Sequence, residues 1–364
     1  MELTKRLSPT KWNYWRIVLA LAAKDIVDAI KNKTTLTMLI GLGLMILTVQ
    51  AMPLMLKFDD RPRVAIYDAA RSSAADDLRH DGAVQVSEMR SAEEARIMAQ
   101  EASGPVLAVT LPSDLESTEG TLQVEGYLAH WIRPQTANQL KDDAEKALAA
   151  VTGRPIDIKT VSVFPTLESR GHIIMVASGL VLATVLITGI LVPYLILEEK
   201  TNHTLELLQV SPASINQLLI GKGIAGVVYG VLAAAMLLAF NLAMVYQWSL
   251  MLLAVLAIIL FGVGMGLLIG SMAKNEGTVQ MWVGLLAILL MFPLMLGFVN
   301  SSRLPEWLQQ VLAWLPTTAA FDLIRLSFTN VFPPAQVWPK VTALLISVVL
   351  VFGAAAWRLR RWEA

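Results

Sequence analysis

Long apolar runs alternate with polar segments along this chain, and the lengths of the runs predict membrane helices. Six stand out: Leu36–Leu56, Ile173–Leu197, Gly223–Tyr246, Ser249–Ala273, Val279–Val299 and Val341–Trp357. Each approaches the roughly 20 residues needed to cross about 30 Å of hydrocarbon. One such run fits a buried core helix. Six, almost free of charge, point to lipid, where ionised side chains are costly.

Between the first two runs the period changes. Val64–Tyr67, Val84–Val86, Val106–Leu111, Leu122–Tyr127 and Ile158–Val163 are short β-rich stretches. Ser91-Ala92-Glu93-Glu94 opens a helix with a capping-box pattern. A second helix is expected from Pro134 to Ala150, closed by Gly153 and Pro155. Residues 57–171 therefore predict an inserted α/β domain of one core. Ahead of the first run, Trp12, Trp15, Val18, Leu19, Ala22, Ile26 and Ile30 recur at three- and four-residue spacing. Lys11, Arg16, Lys24, Asp25, Asp28 and Lys31 are expected largely on the other side. This predicts an amphipathic helix within residues 1–35, able to lie in a headgroup layer. No small-residue cleavage pattern follows the first apolar run, so no cleavable leader is expected.

Composition agrees with a membrane protein: 55% hydrophobic, 16% charged, mean hydropathy +0.57. Lys and Arg cluster before Leu36, after Trp357 and in the connectors marked by Lys200, Lys222 and Lys274. The positive-inside rule then places both termini, including the tail 358–364, in the cytoplasm, and residues 57–171 outside. The zero net charge hides an asymmetry. Residues 57–171 carry 13 basic and 19 acidic residues, a balance of −6, against +6 for the remainder. An acidic outer domain offers no basic face for nucleic acid. Without cysteine there is neither a disulfide framework nor a thiolate metal site, and His80, His130 and His172 show no ligand spacing.

The chemistry-bearing residues are few. No Gly-x-x-x-x-Gly-Lys-Ser/Thr loop exists, and Gly221-Lys222-Gly223 lacks the leading glycine and the hydroxyl that cradle phosphate and magnesium. The chain alone is not expected to be an ATPase or to bind a cofactor. Gly262, Gly264, Gly266 and Gly270 offer small faces for close helix packing. Asn241 reads as a polar residue inside the third run, explained by a helix–helix hydrogen bond or by a substrate contact. Thr184 and Thr188, one turn apart, are pathway candidates whose plainer role is back-bonding to their helix. Asp322 and Arg325 form either an intrahelical pair or a gate at the outer mouth.

The connector from Leu197 to Lys222 is the most distinctive segment. It carries Glu198-Glu199-Lys200, an amphipathic turn at Thr204-Leu205-Glu206-Leu207-Leu208, then Ser211-Pro212 and Gly221-Lys222. These residues resemble the cytoplasmic signature of ABC-2-type transporter permeases. A second block resembles the family's outer segment before the last helix. It runs from Leu304-Pro305-Glu306-Trp307-Leu308 through Trp314-Leu315-Pro316 to Phe321-Asp322-Leu323-Ile324-Arg325, within residues 303–328. The resemblance spans the whole chain in topology and about 45 residues in motif, counted over these two blocks. His203 departs from the glycine that many members have there.

The resemblance implies a mainly α membrane fold of six transmembrane helices, with an extracytoplasmic α/β insertion, in the sodium-efflux-like or multidrug-export-like branch. It also implies short re-entrant helices in 303–328. It implies an inner-membrane exporter permease that forms a homodimer or pairs with a sister permease. ATP and magnesium would then sit on a separate ABC ATPase. Glu198, Glu199, Lys200, Thr204, Leu205, Glu206, Ser211 and Pro212 would form the coupling loop, 198–222, against that ATPase. An alternative is a membrane-anchored assembly or signalling protein whose outer domain binds a ligand or envelope partner.

Overall fold

The computed structural model describes residues 11–31, 61–113, 120–166, 169, 171–201, 214–296 and 305–363, with scattered positions between 36 and 48. Apart from those positions, the expected first span, 36–56, lies outside the described residues, as does 202–213 with Thr204, Leu205, Glu206, Ser211 and Pro212. A first helix, α1 (Lys11–Lys31), precedes a sheet domain.

In that domain, alternation sends Val64 and Ile66 to one face of β1 (Arg63–Asp68) and Ala65 and Tyr67 to the other. The sheet continues with β2 (Gln85–Glu88), β3 (Leu107–Leu111), β4 (Leu122–Ala129) and β5 (Ile156–Val163), in the spatial order β2-β1-β3-β4-β5. β4 runs antiparallel to β3, and the other neighbours are parallel. Helices α2 (Ala74–Asp81) and α4 (Pro134–Thr152) cover the face of Val64, Leu107, Val124 and Ile158. Among the described residues, helix α3 (Ala92–Glu101) covers the face of Ala65, Ala108 and Tyr127. The periodicity did not reveal α2, a short helix whose turns are mostly charged. At α3, Ser91 Oγ accepts the Glu94 N–H at 3.1 Å, while the Glu94 carboxylate accepts from Arg90 N at 2.7 Å. The reciprocal bond thus reaches one residue beyond the expected box.

The rest is helical: α5 (His172–Thr201), α6 (Ile215–Ala239), a 3₁₀ turn (Leu242–Met244), α7 (Trp248–Met272) and α8 (Glu276–Leu296). Two short helices, α9 (Glu306–Ala313) and α10 (Pro316–Ser327), lead to α11 (Pro334–Glu363). Among the described residues, five helices, α5, α6, α7, α8 and α11, are long and apolar enough to cross a membrane. The chain is a mainly helical membrane protein.

Helix α5 is central, packed against α6, α7, α8 and α10. Gly262, Gly266 and Gly270 of α7 let it approach Thr188, Val192 and Ile196 of α5, where added methyls would collide. The outer faces of α8 and α11, at Ile288, Leu289, Phe292, Val349 and Leu350, are apolar and exposed. Two helices depart clearly from the apolar runs. α6 starts at Ile215 and stops at Ala239, and α11 starts at Pro334. Ser214 and Gln217 form a full capping box that begins α6 inside the polar connector.

Candidate functional site: a buried ionic junction

Helix α1 has three faces, one more than a simple amphipathic pattern provides. Trp15, Leu19 and Val27 form an exposed apolar stripe at four- and eight-residue spacing. Lys24 and Asp28 lie on a polar side. Val18, Ala22 and Asp25 are buried against α6. Glycine makes the α1–α6 approach possible. A methyl on Gly221 would sit 3.0 Å from Leu21 Cβ and 3.3 Å from Ala22 N and Val18 O. Tyr229 Oη donates to Ile26 O at 2.7 Å, and Gln217 Nε2 to Tyr14 O at 3.4 Å.

The next residue, Lys222, extends into this contact with its side chain only 1% exposed. Its ammonium lies 3.3 Å from Asp25 Oδ2 and 3.2 Å from Glu199 Oε1. Asp25 and Glu199 are themselves 5% and 10% exposed. The same Glu199 oxygen accepts from Lys24 at 3.3 Å, and Lys24 also faces Asp28 at 3.9 Å. Lys24, Glu199, Lys222 and Asp25 thus form a chain of alternating sign joining α1, the end of α5 and the start of α6. Burial pushes the Asp25 carboxyl up, opposed by the Lys222 ammonium. In so dry a setting each charge depends on its partner. Removing one leaves the others uncompensated, at a cost of about 3–5 kcal/mol, whereas an apolar replacement of the whole set costs little.

Of the expected coupling residues, Glu199 and Lys200 turn inward. Glu199 enters the ionic junction. Lys200 Nζ donates to Gly270 O at 2.8 Å, Ser271 O at 3.3 Å and Ala273 O at 2.7 Å, closing the end of α7. Free carbonyls and the negative dipole end make that a natural seat for an ammonium. Glu198 is half-buried on the remaining side of the turn.

The other expected residues lie elsewhere. Thr184 and Thr188 are wholly buried and donate to Leu180 O at 2.8 Å and Thr184 O at 2.6 Å. Asn241 is corrected: it lies past the end of α6 and not within a span, where it begins the 3₁₀ turn. It donates to Leu237 O at 3.0 Å, and its Oδ1 is 3.3 Å from His172 Nε2. Asp322 pairs with Lys340 of α11. Arg325 donates to Ser169 O at 2.9 Å and covers the Phe321 ring. Near them, His130 Nε2 bonds Met244 O at 3.0 Å, and its ring stacks on Phe164 at 4.6 Å. This joint of rings and carbonyls links the sheet domain to the helical body.

Sequence reasoning missed Lys222, Asp25 and Lys24 as one unit. A signal for Asp25 existed, since it lies three and seven residues beyond Ala22 and Val18 on the buried stripe. In the sequence Lys222 reads as a boundary charge because it precedes a long apolar run. A protein-family model described as ABC-2 family transporter protein matches residues 33–357. No curated protein matches the chain.

Proposed function

Because the chain belongs to the ABC-2 transporter family, we propose that it is the permease subunit of an ATP-driven exporter, working with an ATPase on a separate chain. It is a transmembrane permease component of an ABC transporter, and a multi-pass membrane protein. In this reading residues 36–56 supply a sixth span, and the sheet domain lies outside an inner membrane with both termini in the cytoplasm. Two permeases, identical or sister copies, flank the pathway. ATP and magnesium stay on the ATPase, so this chain holds no cofactor.

The observation that carries the reading is the junction of Lys222, Asp25 and Glu199. A surface helix, α1, is locked by buried charges to the ends of two spanning helices, so a push on α1 or on 202–213 reaches α5 and α6 as rigid-body motion. The coupling surface is accordingly divided. Glu198, Thr204, Leu205 and Glu206 meet the ATPase, while Glu199 and Lys200 pass the motion inward to α6 and α7.

The experiment is affinity purification of the tagged permease from its own membranes, followed by measurement of co-purifying ATPase activity. The Glu198→Lys, Glu206→Lys double variant should lose the ATPase. Glu199→Gln should keep the ATPase bound while uncoupling its activity from transport. An ATPase that never associates with the wild-type permease in mild detergent overturns the reading.

A further inference from the structure

Strand β5 ends the sheet, so one side of its backbone has no neighbouring strand. At the two ends of the parallel β4–β5 ladder, Leu122 N donates to Pro155 O at 2.9 Å and His130 N to Val163 O at 3.0 Å. Alternation between those bonds turns the N–H and C=O of Asp157, Lys159 and Val161 toward β4. Those of Ile156, Ile158, Thr160 and Ser162 therefore point away from the sheet.

The first part of this edge is blocked. Ile158 N donates to the Glu145 carboxylate at 2.7 Å, and Lys141, also on α4, holds Asp157 at 3.2 Å. Just past the strand, Phe164 O accepts from Gln100 Nε2 at 3.1 Å. Between these caps, the N–H and C=O of Thr160 and Ser162 meet no partner among the described residues. Lys159 through Ser162 are exposed in succession. An open edge of this kind is a template for another strand.

The open stretch borders a cleft of about 930 Å³, a volume large enough for a ligand of several residues. Val161, Ser162 and Phe164 line it on the β5 side, and Val331 and Pro333 on the other. Gln247 Nε2 pins that second side by donating to Thr329 O at 2.9 Å and Val331 O at 3.1 Å. Charges around the cleft adjoin in opposite pairs. Glu93 and Arg96 are 3.8 Å apart, and Glu125 stands in register with Lys159. Such a lining favours neither a free amino nor a free carboxyl terminus, so it suits an internal stretch of chain.

We propose that the open edge at Thr160 and Ser162, with its cleft, binds an internal, extended segment of a partner protein, which adds to β5 as a sixth strand. Main-chain hydrogen bonds supply the affinity, and alternate side chains of the segment meet the apolar lining at Val161 and Val331. The inference rests on the permease reading only for placing the sheet domain, and hence the partner, outside the membrane.

The full-length protein in nanodiscs, titrated with an acetylated and amidated heptapeptide of alternating valine and threonine against empty nanodiscs, tests it. Saturable binding is expected. N-methylating all the valine amides, or all the threonine amides, removes the donors on one side of an extended peptide. One methylated set should lose binding and the other keep it. Thr160→Pro removes an N–H that points away from β4, so it should weaken binding at least about tenfold while sparing the ladder. The methylated peptides decide the matter on the unaltered protein even where Thr160→Pro lowers the melting temperature. Equal effects of the two methylated sets, tighter binding of the uncapped peptide, unchanged affinity in a folded Thr160→Pro variant, or no binding above empty nanodiscs overturns the proposal. Binding confined to a peptide of residues 156–163 also overturns it, because the occupant would then be a second copy of this chain. The assay contains no ATPase, so its failure is distinct from a failure of the permease to recruit one.

Discussion

The helical body is fastened at two places by opposite kinds of chemistry. At the α1 corner, four ionised side chains alternate in sign, three of them nearly out of solvent. At the sheet-domain joint these contacts are not ion pairs: imidazole to carbonyl, imidazole to amide, guanidinium to carbonyl, and ring against ring. A buried charge chain holds one arrangement and penalises its neighbours heavily, because any displacement strips a charge of its partner. Single hydrogen bonds and ring contacts cost less to displace. The corner is thus suited to transmitting a motion, and the joint to carrying a domain that tilts.

The sharpest way to break that contrast is at Lys222. Lys222→Ala should strip Asp25 and Glu199 of the cation they share and cost about 3–5 kcal/mol, read as a large fall in melting temperature and proteolytic release of α1. Adding Asp25→Leu and Glu199→Met to Lys222→Met should recover most of it. A triple variant as unstable as Lys222→Ala would show that charge balance is not the cause.

Next comes the close approach that makes the corner. Gly221→Val would drive a side chain into Leu21 and the α1 backbone. An overpacking cost of about 1–3 kcal/mol is expected, visible as a lower melting temperature and weaker protection of α1 from protease.

The joint should respond to acid through a histidine. Burial lowers the His130 pKa below its ordinary 6.5, with its hydrogen bonds to Met244 O and Val163 opposing, so the folded state holds the neutral ring. Its stabilising effect is then complete above about pH 6.5 and is lost as pH falls toward the lowered folded value. Hydrogen exchange across Asn241–Gln247 should accelerate in that window, and His130→Phe should flatten the dependence. A pH profile unchanged by the substitution would remove His130 as its source.

The smallest effect belongs to Lys24. Its side chain is half exposed, so Lys24→Ala should cost no more than about 1 kcal/mol in thermal denaturation. A loss matching that of Lys222→Ala would mean the two lysines are equally buried in solution.

The α/β strands and the apolar helices were legible because their signals are local. Alternation reports strands one residue at a time, and an apolar run needs no partner to be counted. The α1 corner was only half legible. Its glycine, lysine and two acids are all visible, yet Asp25 and Glu199 read as surface charges when each helix is taken alone. Asn241 was misplaced because the apolar run continues past the point where α6 stops and the 3₁₀ turn begins.

By itself the sequence determined that the chain crosses a membrane, that a sheet domain interrupts the helices, and to which family of transporters it belongs. Hydrophobic length, period and a contiguous motif need no three-dimensional arrangement to be read. Only the tertiary structure decided which charges face water and which face one another. Whether a carboxylate on a helix is solvated or buried depends on what packs against that face, and for Asp25 and Glu199 the answer was a lysine on a different helix.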